Sequence, residues 1–518
     1  VGAGAVGLAS LTHSQDETNL YREALVVSKT PLALDPLADG ADPAVRDLGQ
    51  ILYRRLLRLD GQASPTGDLA KAWGVSGDGL AYRFTLNDGL RWSDGTALTV
   101  ADVQATVALV QSPGFPDAGL AAAWHDAKLT ADPSTATVTV TLPQPRAAFV
   151  AAAVQLPILP AASLGKLTGA TLAASASRPL PVSGAFRVGA ADATHVQLVP
   201  NRYATPQPSL RIVDLRLMKS FETAAQALAM GQVDGLLAGT PAQRIVLSRI
   251  QGVRLHDLTT FRFVDLLFNE RRPGLDDPAV RRAIATAIDR KQLIAGALSG
   301  DAQPQVGAVP VGIAWIAPEQ QDQPASVLSA RALDAAGWVL GADGVRHKGA
   351  QRLAYTVAVP DAAPLPTVAA ALGRQLQAIG IALTVDVVKP QDFEPAVLVP
   401  QSFDMVVADW DNGPDPDVSS FWRSNATPPH GFNVSGGPTD LFLDRALDSL
   451  ATMNDVRLRR VAAGQVDARL AEDTPAVFLY APEVSFAVSD GFGAVTVPPV
   501  GTSASRYEAI TAWRKLAT

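Results

Sequence analysis

From Leu80 to Leu86 the chain alternates, with Leu80, Tyr82, Phe84 and Leu86 set against Ala81, Arg83 and Thr85, which predicts a half-buried strand. Asn87-Asp88-Gly89 turns that strand, and Arg91-Trp92-Ser93-Asp94-Gly95 turns again, as in a small antiparallel meander. Thr99 then caps a helix with Asp102 in the reciprocal position, and Val103, Val107 and Val110 form its buried stripe. Val138, Val140 and Leu142, alternating with threonines, predict another strand. The first third therefore reads in part as an antiparallel α+β unit. The Ala/Ser run from Ala170 to Ser177 reads as a surface loop.

The later half has a different rhythm. Leu353, Tyr355, Val357 and Val359 alternate as a strand, Thr367 to Ile379 reads as a helix stopped by Gly380, and Ile381, Leu383, Val385 and Val387 make the next strand. A strand, helix and strand with a connector of this length imply a right-handed parallel crossover. Asp277 caps a further helix with Pro278 as its first residue, and Val280, Ala283, Ile284, Ala287 and Ile288 share one face. Arg281, Arg282, Asp289 and Arg290 are read as its solvated face.

Phe403 to Ala408 is a short apolar run that breaks into Asp409-Trp410-Asp411-Asn412-Gly413-Pro414-Asp415-Pro416-Asp417, a buried strand ending in a loop. In open α/β sheets, ligands collect beyond such strand ends. The acids and the Trp offer a cation site and a stacking surface. A Pro-fixed turn with solvated acids fits the same residues.

At 518 residues the chain is too long for one core, so two or three domains are expected. A 47% hydrophobic and 18% charged composition can fill those cores. The net charge of −7 is spread without long blocks, which argues against nucleic acid and anionic membrane as main partners. With no cysteine, disulfides, thiolate catalysis and thiolate metal sites are excluded. The six histidines show no HExxH and no close pair, so no metal site and no cofactor are expected. Neither a Gly-x-Ser-x-Gly elbow nor a phosphate loop occurs, and the chain is not read as an enzyme. Val1 to Ser10 reads either as the outer end of a signal or anchor segment or as a flexible mature terminus.

These elements stand in a telling order. Leu34-Asp35-Pro36, Ile51-Leu52-Tyr53, Leu56-Leu57-Arg58, Leu69-Ala70-Lys71-Ala72-Trp73 and Ser76 to Phe84 come first. Trp92-Ser93-Asp94-Gly95-Thr96-Ala97-Leu98-Thr99, Ser183-Gly184-Ala185-Phe186-Arg187 and Pro200-Asn201-Arg202-Tyr203 follow. Phe268-Asn269, Asp277 to Ala283, Ala287 to Arg290, Gly413 to Asp417, Phe432 to Gly436 and Asp440 complete the series. Together they resemble the extracytoplasmic solute-binding proteins of peptide/nickel-type ABC importers.

That resemblance implies an α/β fold, a two-lobed clamp of the periplasmic-binding-protein kind with an additional α+β domain inserted in the first lobe. Residues 1–19 would be a flexible segment, 20–262 the first lobe with its insertion at about 61–180, 263–482 the second lobe, and 483–518 a return to the first. Two crossings, near Val264 to Phe268 and near Phe478 to Pro482, would form the hinge. The expected function is capture of a small solute, a short peptide first among the candidates, and delivery to a membrane permease by a monomer outside the cytoplasm. The rival function is a non-transport relative that uses the same clamp for sensing or for regulating cell-envelope enzymes.

The implied ligand-binding residues are Asp409, Trp410, Asp411, Asn412, Gly413 and Trp422 from the second lobe, Leu34 from the first, and Trp315 near the cleft mouth. Peptide binders of this kind place an amine-binding Asp three residues after the loop Trp, where this chain has Gly413. Asp411 or Asp409 would have to substitute. A core role is the alternative for Trp422 and a simple turn for Asp35-Pro36. Trp73, Trp92 and Trp338 are read as packing residues.

Overall fold

The computed structural model describes residues 19–516 apart from 41, 166, 314–323 and 429. Among these, one 13-stranded sheet runs through the molecule. Its main path is Ala382–Val388, Ala354–Pro360, Met405–Asp411, Arg262–Phe268, Ala476–Ser489, Gly235–Ala238, Leu20–Val26, Ile212–Met218, His195–Pro200 and Phe186–Ala191.

Two chain segments pass between the halves of this sheet, and they do so side by side. Val253–Thr260 lies antiparallel to Glu483–Ser489, and after Phe261 the strand Arg262–Phe268 lies antiparallel to Ala476–Tyr480. Thr260 Oγ1 donates to the Pro482 carbonyl at 2.8 Å where the two segments cross. On one side of this crossing a hydrophobic core gathers Tyr21, Leu48, Phe84, Trp92 and Leu215 with Phe486, Val488, Tyr507 and Trp513 from the end of the chain. On the other side two cores cover the two faces of the second half-sheet: Val264, Ile284, Val357 and Leu372 on one, Phe263, Trp410, Phe421 and Leu447 on the other. The chain is thus a two-lobed α/β clamp.

The local readings mostly meet their elements. Ala81–Leu86 and Thr137–Thr141 pair inside a separate four-stranded antiparallel sheet. Thr99 and Asp102 form the reciprocal cap of Val100–Val110, and Asp277 caps Pro278–Ala287 by accepting from Ala279 N. Leu365–Gln377 connects two parallel strands, Ala354–Pro360 and Ala382–Val388, and Gly380 takes a φ of +83° at its exit. Trp92 and Trp338 are each 1% exposed.

Four readings need correction. Arg281 and Arg290 are buried, because each guanidinium caps carbonyls that the packed elements leave open. Arg281 donates to Leu275 O, Asp473 O and Thr474 O, and Arg290 to Gln305 O and Phe478 O. Of those four residues Arg282 alone is exposed, and Asp289 is half-buried as the cap of Arg290–Ala297. Trp73 is exposed, on the outward face of the strand Ala70–Val75, rather than core. The run Ala170 to Ser177 is largely helical, with Gly169–Leu172 followed by a 3-10 turn, Ala173–Ser175. Their alanines suit a helix better than a loop.

Candidate functional site

A cleft of about 1410 Å³ opens between the lobes. The first lobe supplies most of its wall, including Tyr53, Arg55, Arg58, Lys71, Gln155 and Glu508. Thr260 and Phe261 close the hinge end, and Arg262, Asp411, Gly413 and Pro414 come from the second lobe. The lobes also touch on the far side. Ala147 N donates to Ala451 O at 2.7 Å, and Tyr82 Oη lies 3.3 Å from Asn454 Oδ1. The cleft is therefore bounded at both ends.

The strand Met405–Asp411 sets the second-lobe wall. Its residues alternate faces, so Asp409 and Asp411 point one way and Trp410 the other. Trp410 is buried, its indole N–H donates to Asp265 Oδ1 at 2.9 Å, and its ring packs against Phe421 and Phe432 at 5.4 and 5.5 Å. Asp265 is fully buried with its second oxygen unpartnered, and burial pushes its carboxyl up to about 8. It is therefore a neutral acid in neutral solution, which accepts one hydrogen bond and needs no counter-ion.

Asp409 is held by Arg262 in a two-pronged ion pair, Nε to Oδ1 at 3.0 Å and Nη2 to Oδ2 at 2.7 Å. Burial raises its carboxyl to about 6, against the pull of Arg262. Asp411 ends the strand exposed. Its Oδ1 accepts from Gly413 N at 3.0 Å, and Gly413 turns the chain with a φ of +69°, a conformation that favours glycine. The loop beyond is pinned from below: Asp415 is buried and grips Arg459 at 2.6 and 3.0 Å, while Asn412 Nδ2 donates to Asp415 O. Four acids thus play four parts, and only Asp411 offers a free carboxylate to the cleft.

The predicted residues separate accordingly. Asp411 and Gly413 line the cleft. Trp410 and Asn412 stand behind that wall, and Asp409, on the same side as Asp411, is covered by Arg262, so the acids and the Trp do not form one surface. Trp422 is 3% exposed and packs on Phe478 at 5.5 Å, in the core rather than the cleft. Leu34 is buried in the first-lobe core, its N–H donating to Ala176 O. Asp35 is fully buried and accepts from Leu37 N at 2.9 Å, which is the turn reading of Asp35-Pro36. Trp315 lies outside the described residues.

Sequence reasoning passed over the arginines. Tyr53-Arg54-Arg55-Leu56-Leu57-Arg58 puts three cations beside a fully buried Leu56-Leu57 pair, a signal visible in the sequence. Arg54 is taken by Asp68 at 2.6 Å and Lys71 by Asp88 at 2.8 Å, while Arg506 is buried between Glu23 and Asp47 at 2.8 and 2.7 Å. Glu508 lies among them. Burial pushes its carboxyl up to about 7, against the pull of Arg58, a Ser505 hydrogen bond and Arg55. Among the described residues no cluster of His, Asp and Glu has the geometry to hold a metal ion.

A two-lobed clamp with a charged cleft at its hinge is the architecture of solute-binding proteins, and comparison with known proteins decides the family. Residues 64–431 match the sequence model of the bacterial extracellular solute-binding proteins, family 5 Middle. The chain belongs to this family. It is 26% identical over 428 residues to Protein XP55 of Streptomyces lividans, covering 82% of this chain and 77% of that one. To the oligopeptide-binding protein AppA of Bacillus subtilis (strain 168) it is 24% identical over 470 residues, 87% of this chain and 84% of AppA. It matches the glutathione-binding protein GsiB of Escherichia coli (strain K12) at 26% identity over 324 residues, spanning only 61% of the length of each. The solved structure of Bacillus subtilis AppA with a nonapeptide shares the fold, with a TM-score of 0.70 at 21% identity over 96% of this chain and 99% of that one. This solute-binding family works in ABC transport and outside the cytoplasm, and among the described residues no helix is long and apolar enough to cross a membrane.

Proposed function

We propose that the protein captures a short peptide between its lobes and hands it to the membrane permease of an ABC importer. The observation that carries this reading is the cleft. At about 1410 Å³ it exceeds the roughly 300–1,000 Å³ that enclose a drug-sized ligand, and its walls carry charges of both signs. An extended peptide fills such a space through its backbone and needs charged partners at its ends. The names of AppA and GsiB support peptide-like ligands, since each is named as a binder of one.

In this reading the protein is a monomer with lobes at 20–262 plus 483–518 and at 263–482. Asp411 meets the ligand's amine, since Asp409 is already neutralised by Arg262 and Gly413 has no side chain to offer. Gly413 lets the loop approach the ligand. The test is mass spectrometry of whatever ligand survives gentle purification, followed by calorimetry against a mixed short-peptide library. Co-purification of peptides and heat with the library are the expected results. A sugar or other non-peptide solute in the cleft, with no heat from any peptide, would overturn the reading.

A further inference from the structure

We infer that the ligand presents an anionic group to the first lobe, for a peptide its carboxylate end, and that Arg55 and Arg58 hold it. The assignment rests on the peptide reading above for the ligand's identity, but the two arginines argue for the anion by themselves. It begins with elimination. Of the cations lining the cleft, Arg54, Lys71, Arg262 and Arg506 each have a carboxylate within ion-pair distance. Arg46, Arg55, Arg58 and Arg91 line the cleft too and have none among the described residues. Arg46 and Arg91 are exposed and Arg91 gives Nη1 to Gly95 O at 2.8 Å, whereas Arg55 is half-buried and Arg58, itself exposed, follows it on the same segment. The side chain of Arg55 makes a single long hydrogen bond, Nη1 to Tyr53 O at 3.4 Å, out of the five N–H donors a guanidinium carries.

The backbone beneath them is fixed. Arg55 N donates to Asp68 Oδ2 at 2.8 Å, Arg55 forms an isolated bridge with Pro157, and Leu56 and Leu57 are anchored in the core. The guanidinium groups therefore stand on a rigid support. A half-buried cation with unused donors is costly unless something pairs with it. The nearby acids do not serve. Asp68 is occupied by Arg54, Asp60 accepts from Gln62 N and Ser64 N in its own turn, and Glu508 feels the pull of both arginines without reaching ion-pair distance of either, while burial pushes its carboxyl up towards the neutral form.

A carboxylate matches the planar fork of an arginine in two parallel hydrogen bonds. With Arg55 and Arg58 on the first lobe and Asp411 on the second, opposite charges face each other across the cleft. A ligand with both charges contacts both walls only when the lobes are closed. Such differential contact is what drives closure.

The experiment is calorimetry of the full chain with two mixed libraries of three- to five-residue peptides, one with free carboxylate ends and one amidated there, and with succinate as a non-peptide anion. Wild type, Arg55→Gln, Arg58→Gln and the double variant are compared, with melting temperature as the control for folding. The expected result is that amidation weakens binding by about 10- to 100-fold, the range for a hydrogen bond to a charged partner. Each single variant should weaken the free-acid library about tenfold and leave the amidated library unchanged. If Arg55→Gln unfolds, Arg58→Gln carries the test, because Arg58 is exposed and unpaired. Equal affinity for the two libraries, or a double variant that keeps full affinity for the free acids, overturns the anion assignment alone. Binding of succinate that the double variant loses, with no peptide bound, upholds the anion assignment and overturns the peptide reading. No heat from either library or from succinate overturns both.

Discussion

Replacing Trp410 should damage the fold and spare the site. The ring is 9% exposed, wedged against Phe421 and Phe432, and its N–H satisfies one oxygen of a buried acid. Truncating a buried Trp to Ala costs about 3–5 kcal/mol through lost burial and the cavity left behind. Trp410→Phe retains most of the ring packing and removes the N–H. Since Asp265 is neutral near pH 7, what is lost is an ordinary hydrogen bond, worth about 1 kcal/mol. Urea unfolding would read both losses directly, and the melting temperature of Trp410→Ala should fall by about 3–5 °C for a chain of this length. Calorimetry with the free-acid library should give wild-type affinity for Trp410→Phe. The reasoning is refuted if Trp410→Phe unfolds like wild type but loses its ligand, because the indole would then be touching solute instead of core.

Other perturbations have equally definite outcomes. Burial raises Asp265 to about 8, Glu508 and Asp301 to about 7, and Asp409 to about 6. Such carboxyls bind more protons folded than unfolded, so stability should fall as pH climbs from about 4 towards 8, and Asp265→Asn should flatten that slope in denaturant titrations at several pH values. Arg506→Met strands the buried Glu23 and Asp47, and should cost about 3–5 kcal/mol in urea unfolding. Tyr82→Phe removes the hydroxyl that reaches Asn454 across the lobes. It should shift the unliganded protein towards an open form, seen as a larger radius of gyration in small-angle scattering.

Elements set by local rules were legible in the sequence. The cap of Val100–Val110 needs only Thr99 and Asp102, and the parallel pair around Leu365–Gln377 follows from two alternating runs and a helical one. What the sequence hid depends on distant partners. Arg281 reads as a surface cation until Asp473 and Thr474, almost two hundred positions later, bring their carbonyls to it. The same holds at the site. Strand alternation already separates Trp410 from Asp409 and Asp411, and that separation could have been read from spacing alone. That Asp409 is consumed by Arg262 could not, because the pair forms across two strands remote in sequence. Arg55 and Arg58 were visible as residues, but their lack of an ion-pair partner becomes visible only once Asp68 is seen to be taken by Arg54 and Asp60 by its own turn.

The way the first lobe closes on itself has a consequence for how the chain is made. Tyr21, in the strand Leu20–Val26, packs edge-on against Phe492 and Trp513 at 5.1 and 5.3 Å, and Glu23 beside it is sealed by Arg506 and Tyr507. The second lobe draws its core almost entirely from one uninterrupted stretch, Val264 to Tyr480. During synthesis that stretch has its partners at hand as soon as it emerges, whereas the earlier residues must wait, with an acid and an aromatic cluster uncovered, for Phe486 to Trp513. The lobe that is translated first is the one that finishes last, and a ribosome stalled before Arg506 would leave it with an open seam.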